Sequence, residues 1–343
     1  MRVLVTGGSG LIGSNVAAVA AQQSWDVLAC FHRHPVELDG AETARLQMAD
    51  RKACVELASE WEPEVIVHAA GESSLSRFER DPYVGQLEFV GAEHMLAAAR
   101  NVRARYVLIS CDQVYGGRMP AGWRSREGDL PEPVNAHGRS KLACEEAAMR
   151  SSTPWLIARP GEVYGVNSSI RARGDGEPAH PRAREEGISA EARTLTETWA
   201  RSGVALRLVA RLRSRTLLPA PEGGLRSPTY AWDFAHRLCE LIAQGCEGVY
   251  NLGGPTALGR HAWGRLLARE FGCREELVRE GSEEAYLRAC GERQNVALAA
   301  NAGLCGEKAT AAIGTSALPP ERGLALTREA LTRRRLPVGC NAR

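Results

Sequence analysis

The chain begins Met1-Arg-Val-Leu-Val-Thr-Gly-Gly-Ser-Gly-Leu-Ile-Gly13, and the reading of that stretch decides the fold. The apolar run Val3 to Val5 reads as a buried parallel strand that ends at Thr6. Glycines follow at Gly7, Gly8, Gly10 and Gly13, and an alanine-rich helical pattern runs from Leu11 to about Gln22. Strand, glycine turn and helix together make a dinucleotide site out of what is otherwise a weak pattern. The glycines let the turn close and let the backbone approach a pyrophosphate, whose charge then meets the free N–H groups of the helix N-terminus. Gly7, Gly10, Leu11, Ile12 and Gly13 are therefore the expected pyrophosphate contacts.

Strand-like and helix-like segments alternate downstream. Asp26–Phe31 reads as a second strand, with His32, Arg33 and His34 after it. An acid at the end of this strand would bond the ribose 2′-OH of NAD, whereas a base there suits the 2′-phosphate of NADP. Asp26 lies at the start of the strand, and His32 and Arg33 lie at its end, so NADP(H) is expected over NAD(H). A strand at Glu64–Gly71 ends in Ala69, Ala70 and Gly71, small residues that let a cofactor pass close to the backbone. Further strands are read at Tyr106–Ser110, Trp155–Arg159 and Gly248–Leu252. Helices are read at 82–101, from His137 to Met149, at 232–243 and at 261–271. Leu195 onward is read as renewed order, with a helix near Thr196–Arg201 and a strand near Ala205–Ala210.

This alternation predicts an α/β fold, a Rossmann-type doubly wound parallel sheet. Residues 1–165 would form the dinucleotide-binding domain, with a return near 229–252. Residues 166–343 would form a smaller C-terminal substrate-binding α/β region, including a mobile surface insertion at 167–193 rich in Arg, Glu, Gly, Ser and Pro. The 343 residues suffice for a large core, and the net charge of +2 gives no drive toward nucleic acid or an anionic membrane. No apolar run approaches the ~20 residues of a spanning helix. The ten cysteines fall in no CxxC or Cys/His cluster, so no metal site is expected and reduced thiols in the cytoplasm fit best. Only three of the 43 basic residues are lysine, namely Lys52, Lys141 and Lys308, which gives weight to a lysine retained at a motif position.

Seven motifs in order resemble the extended short-chain dehydrogenase/reductases of the NAD-dependent epimerase/dehydratase type. They are Thr6–Gly13, His68-Ala-Ala-Gly71, Ile109-Ser-Cys-Asp-Gln-Val-Tyr-Gly116, Asn135-Ala-His-Gly-Arg-Ser-Lys141, Arg159-Pro-Gly-Glu-Val-Tyr-Gly165, Ser227-Pro-Thr-Tyr-Ala-Trp-Asp233 and Gly248-Val-Tyr-Asn-Leu-Gly-Gly254. Arg293-Gln-Asn-Val-Ala-Leu298 adds a C-terminal signature. Within that family the chain is most similar to the dTDP-4-dehydrorhamnose reductase branch. The resemblance implies a nucleotide-sugar substrate, a homodimer, and a Ser or Thr acting with a Tyr-x-x-x-Lys pair one helical turn apart.

The substitutions within those motifs stand out. Lys141 occupies the lysine position, but His137 stands for the tyrosine and Cys111 for the Ser or Thr. Glu88 stands where the family has Asn, and Gln47, beside Met48, where it has Asp before the adenine. Imidazole is an acid/base near neutral pH, yet a neighbouring Lys141 would depress its pKa. Asp112, Tyr115, Glu162 and Tyr164 are further acids in the same loops, the two tyrosines reading better as packing residues. Arg207, Arg226 and Arg293 could pair with a diphosphate. Three readings follow: an atypical NADP(H)-dependent reductase or epimerase with His137, Lys141 and Cys111 at its centre; a cofactor-binding regulatory subunit without turnover; or an enzyme using the fold for elimination, epimerisation or cyclisation. The family that the motifs resemble contains a member of the second kind, the regulatory beta subunit of methionine adenosyltransferase.

Overall fold

In the computed structural model, which describes residues 1–116, 122–171, 203–292 and 296–333, the chain forms one seven-stranded sheet with helices on both faces. The strands are β1 (Arg2–Thr6), β2 (Asp26–Phe31), β3 (Glu42–Arg45), β4 (Val65–His68), β5 (Arg105–Ile109), β6 (Trp155–Arg159) and β7 (Gly248–Asn251). Their order is β3-β2-β1-β4-β5-β6-β7, every pair parallel. The main helices are α1 (Leu11–Gln22), α2 (Arg51–Trp61), α3 (Leu75–Arg80), α4 (Pro82–Val102), α5 (Ala136–Arg150), α6 (Val204–Arg213), α7 (Ala231–Ala243), α8 (Arg260–Glu270), α9 (Glu283–Ala289), α10 (Glu307–Ile313) and α11 (Pro320–Arg333).

Alternation along the strands sends successive side chains to opposite faces. Val3, Val5, Val27, Ala29, Val65, Val67, Val107, Ile109 and Leu156 pack under α1 and α7, against Val16, Val19, Phe234 and Leu238. Leu4, Leu28, Ile66, Tyr106, Leu108 and Ile157 face the other way, against Met95, Ala99 and Ala148 of α4 and α5. The return expected near 229–252 is present as α7 and β7, since β7 pairs with β6 from Gly248↔Leu156 to Asn251↔Arg159. A separate apolar cluster gathers Leu208, Val209, Leu212, Trp263, Leu267, Phe271, Tyr286 and Leu324 from the C-terminal half.

One expectation needs correcting. Residues 205–210 are not a strand but lie within α6. Buried Ala205, Leu208, Val209 and Leu212 recur at i, i+3, i+4 and i+7, a helical period that the density of apolar residues conceals. The first residues of the expected 167–193 insertion, 167–171, lie against α1 and residues 36–37. Ser14 and Asn15 of α1 are buried and need partners, and this segment supplies them. Asn15 donates to the Val166 carbonyl at 3.0 Å, the Ser168 hydroxyl donates to Asn15 Oδ1 at 3.0 Å, and the Ser168 amide donates to Ser14 Oγ at 3.1 Å. Asn167 donates to the Ser9 carbonyl at 2.8 Å, and residues 170–171 then pair antiparallel with 36–37. The rest of the 167–193 insertion, the helix expected at 196–201, and Arg293 lie outside the described residues. Among the described residues, no helix is long and apolar enough to cross a membrane.

Candidate cofactor and active site

The glycine turn joins β1 to α1. Gly7 has φ +74°, and a Cβ there would sit 2.8 Å from the Ala70 backbone. A Cβ on Gly13 would collide with the Gly7 carbonyl oxygen, so the turn closes only without side chains at both positions. The Gly10 amide donates to Gly7 O at 2.8 Å, and the Gly8 amide to Cys30 O at 2.8 Å, which ties the turn to the end of β2. Gly10 caps α1 in extended geometry with no side-chain hydrogen bond, and the first turn carries no acid. The amides of Leu11, Ile12 and Gly13 thus head a 12-residue helix with no acidic residue in its own first turn, which favours an anion at its N-terminus.

Thr6 holds the opposite wall. Its hydroxyl accepts the Ala69 and Ala70 amides at 3.2 and 3.1 Å and contacts His68 Nδ1 at 3.1 Å. Having accepted two amides, it gives its own proton to His68 Nδ1, which leaves Nε2 protonated on a neutral ring. Burial, with a smaller contribution from Lys141, lowers the His68 pKa from 6.5 to about 3. The unfolded chain therefore binds a proton on this residue between those values that the folded chain does not. Stability contributed this way is full above about pH 6.5 and falls as pH drops toward about 3, by ~1.4 kcal/mol per unit. We expect the urea midpoint to fall on acidification through this window, and His68→Asn to flatten that dependence.

The expected 2′-phosphate contacts lie at the end of β2, where His32 and Arg33 are both exposed. Asp26 pairs in register with Arg2 at the opposite end of the strand, five residues and about 17 Å away. Gln47 is exposed after β3, while the Met48 side chain packs 3.4 Å from where a Gly91 Cβ would be and its carbonyl meets His94 Nδ1 at 2.8 Å.

Cys111, His137 and Lys141 come together at the carboxyl ends of β4 and β5. Asn135 starts α5 by accepting the Gly138 amide at 2.8 Å, and it donates to Gln113 Oε1 at 2.9 Å and to the Ala297 carbonyl at 3.0 Å. A Cβ on Gly138 would strike the Gln113 carbonyl, so glycine lets the helix head lie against the loop that carries Cys111. His137 Nδ1 lies 4.0 Å from Cys111 Sγ, and its ring packs on Phe78 of α3 at 4.9 Å. Lys141 Nζ is 2.6 Å from Glu88 Oε1 and donates to the Ile109 carbonyl at 3.3 Å. Glu88 also accepts the Glu72 amide at 3.1 Å.

This geometry fixes protonation. Burial and then Lys141 lower His137 to about 3, so the ring is a neutral imidazole. Burial and Asp112, against weaker opposition from Lys141, push the Cys111 thiol up to about 12. The two are not a thiolate–imidazolium pair. Burial opposes the Lys141 charge, but Glu88 outweighs it and keeps the ammonium.

The other acids serve elsewhere. Tyr115 donates to the Arg126 carbonyl at 2.8 Å and accepts from Arg159 at 2.6 Å, and Tyr164 donates to the Pro320 carbonyl at 3.1 Å, so both are held by the structure. Asp112 pairs with Arg226 at 3.2 Å, both buried, which commits that arginine to an internal partner. Glu162 accepts from Trp263 Nε1 at 3.1 Å, its carboxyl raised by burial against the pull of Arg226 and Arg260. Glu88 was recognisable from sequence as a substitution, but its pairing with Lys141 needed the packing of α4 on α5.

Sheet order and glycine turn together make the Rossmann-type α/β fold of the extended short-chain dehydrogenase/reductases. Residues 1–170, just under half of the chain, match the RmlD substrate binding domain family. Methionine adenosyltransferase 2 subunit beta of Xenopus laevis is 31% identical over 170 residues, 48% of this chain and 47% of that protein. The chain thus matches about half the length of these curated relatives. A probable low-salt glycan biosynthesis reductase of Haloferax volcanii is 24% identical over 273 residues, covering 79% of this chain and 81% of that protein. Among solved structures, dTDP-4-dehydrorhamnose reductase of Bacillus anthracis in complex with NADP superposes with a TM-score of 0.74 at 17% identity, over 96% of this chain and 99% of that one. UDP-glucose 4-epimerase of Thermus thermophilus with NAD gives 0.72 at 22% identity, over 95% and 97%. At such identities the likeness establishes the fold, and these two carry different nicotinamide nucleotides.

Proposed function

We propose that this chain binds NADP(H) along the Gly7–Gly13 turn and reduces or epimerises a nucleotide-linked keto sugar or a related keto or hydroxy compound, with His137 in the place of the usual tyrosine. What supports the reading is the run of contacts Thr6–His68, Gly7–Ala70 and Glu88–Lys141, which links the glycine turn ahead of α1 to the group of His137, Lys141 and Cys111. Gly7, Gly10, Leu11, Ile12 and Gly13 would take the pyrophosphate, His32 and Arg33 the 2′-phosphate, and Gln47, Met48, Ala69, Ala70 and Gly71 the faces of the adenosine and nicotinamide halves. The bound nicotinamide would supply or receive a hydride. An ammonium has three protons, and Glu88 and the Ile109 carbonyl occupy two, so Lys141 retains one donor for a ribose hydroxyl. A neutral imidazole polarises a carbonyl by hydrogen bonding without giving up its proton, so the alkoxide left by hydride addition would take its proton from solvent water, which the partly exposed His137 admits. His137 would act in that way, with Cys111 lining the site as a weak donor. The cysteines, among them Cys111, would stay reduced in the cytoplasm, and the family resemblance favours a homodimer.

The test is NADPH consumption with 4-keto nucleotide sugars. His137→Ala should lower kcat about 10²-fold, while His137→Gln, which keeps a donor, should lose less. Because the imidazole stays neutral, the wild-type profile should show no inflection from His137 between ~pH 5 and ~pH 8. A bell whose acid limb disappears in His137→Gln would mean that the ring titrates and acts as an acid. A second reading, nucleotide binding without turnover in a regulatory subunit, is favoured by the neutral thiol, the neutral ring and the pairing of Lys141 with Glu88, and by the subunit beta relative. It predicts tight NADPH binding, no consumption with any keto sugar, and a stable protein partner in a pull-down.

A further inference from the structure

Glu88 stands where the family resemblance implies an asparagine, and the substitution changes the charge of the site. Glu88 on α4 and Lys141 in the second turn of α5 are each 8% exposed, and Nζ lies 2.6 Å from Oε1. The carboxylate is seated from its other side by the exit of β4. Its Oε2 accepts the Glu72 amide at 3.1 Å, and a Cβ on Gly71 would strike Oε1, so bare backbone at Gly71 leaves the room the carboxylate takes. Among the described residues, the titratable groups around the ammonium are otherwise neutral or paired. His68 after β4 and His137 on α5 are held neutral, by burial first and by Lys141 second. The Cys111 and Cys144 thiols are pushed up to about 12, burial again leading. Glu72 turns its carboxylate to Arg77, Glu145 to Arg159, and Asp112 to Arg226. Glu88 is thus the group that balances Lys141, and the pair carries no net charge.

The two forms of a nicotinamide nucleotide differ by one positive charge on the ring. In a desolvated site an unbalanced ammonium repels the oxidised form and leaves the reduced form alone, since charge is poorly screened there. An uncharged amide at position 88 would give that unbalanced ammonium. We propose that Glu88 sets the redox-form specificity of the site: by cancelling the charge of Lys141, it lets the crevice hold the oxidised, cationic nucleotide alongside the reduced one. The inference rests on the reading of this crevice as a nicotinamide site, and concerns which form is held there.

The experiment is calorimetric titration of the full chain with NADP+ and with NADPH at about pH 6.5 and about pH 9, on the wild type, Glu88→Gln and Glu88→Asp. The quantity read is the ratio of the two affinities, because a loosened crevice weakens both nucleotides alike and leaves the ratio unmoved. In the wild type the ratio should be the same at both pH values. In Glu88→Gln, NADP+ should lose about tenfold relative to NADPH at the lower pH. The ratio should return toward the wild-type value at the higher pH, because burial no longer opposed by Glu88 lowers the Lys141 pKa and the ammonium is lost as pH rises. Glu88→Asp keeps the charge and should keep the wild-type ratio. Should Glu88→Gln fail to fold, the double variant Glu88→Gln with Lys141→Met replaces a balanced pair by an uncharged one. It should lose affinity for both nucleotides and hold the wild-type ratio at both pH values. A wild-type ratio in Glu88→Gln at the lower pH, the same shift in Glu88→Asp, or a shifted ratio in the double variant would overturn the proposal. Failure of the wild type to bind either nucleotide would instead bring down the cofactor reading, and this inference with it.

Discussion

Glu145→Gln should destabilise the fold by about 3–5 kcal/mol, the cost of leaving one charge of a buried pair alone. Glu145 on α5 is 0% exposed, and Arg159, the last residue of β6, is 2% exposed. The guanidinium donates through Nε to Glu145 Oε1 at 2.8 Å and through Nη2 to Oε2, a two-point fork. Its remaining arm donates to the Tyr115 hydroxyl at 2.6 Å, and its face stacks on that ring at 4.9 Å. Glutamine keeps the volume of Glu145 but not its charge, so the change isolates electrostatics from packing. Urea denaturation would measure it. The double variant Glu145→Leu with Arg159→Met should recover most of the loss, since a matched apolar pair avoids desolvation of both ions. For comparison, Lys52→Met breaks an exposed i,i+4 pair with Glu56 at 3.5 Å and should cost less than about 0.5 kcal/mol. A Glu145→Gln loss below about 1 kcal/mol would mean that water reaches the pair. Because the pair anchors α5 to the sheet, the same variant should also loosen the positions of His137 and Lys141.

Gly10→Val should weaken nucleotide binding by 100-fold or more while leaving the fold intact. Gly10 has φ −90° and ψ 167°, ordinary extended geometry for any residue. A Cβ there meets only the Gly7 carbonyl, at 3.2 Å, and the residue is exposed. The protein should therefore accept the side chain. A valine would instead project over the amides of α1, where an anion would have to sit, and misplacement of ~1 Å there costs about 10²-fold. Gly13→Ala is the contrasting case, because its Cβ would collide with the turn itself. Lower melting temperature and lost binding would then arrive together in Gly13→Ala, and lost binding alone in Gly10→Val. Unchanged affinity in Gly10→Val would place the nucleotide elsewhere.

Local sequence carried the sheet well, because each strand is short, apolar and followed by a clear change of texture. α1, β2 and β6 lie where their residue patterns put them, at Leu11–Gln22, Asp26–Phe31 and Trp155–Arg159. The glycine turn was legible for a similar reason: its requirement for bare backbone at Gly7 and Gly13 is written in two residues. α6 was misread because Val204–Ala210 is dense in apolar residues, and only its burial reveals the helical period. The candidate site was legible as a list of residues but not as a state of protonation. That His137 is a neutral ring follows from desolvation and the nearness of Lys141, and that Lys141 keeps its proton follows from α4 bringing Glu88 to within 2.6 Å.

The measurement closest to the central claim is a fluorescence titration of the purified chain with NADPH and with NADH, repeated on Arg33→Ala. The account predicts micromolar or tighter binding of NADPH, weaker binding of NADH, and a loss of at least tenfold for NADPH alone when Arg33 is removed, as expected for one charged contact to a phosphate. Failure of both nucleotides to bind would contradict it, and would turn the glycine turn and its open helix end into a remnant of the fold.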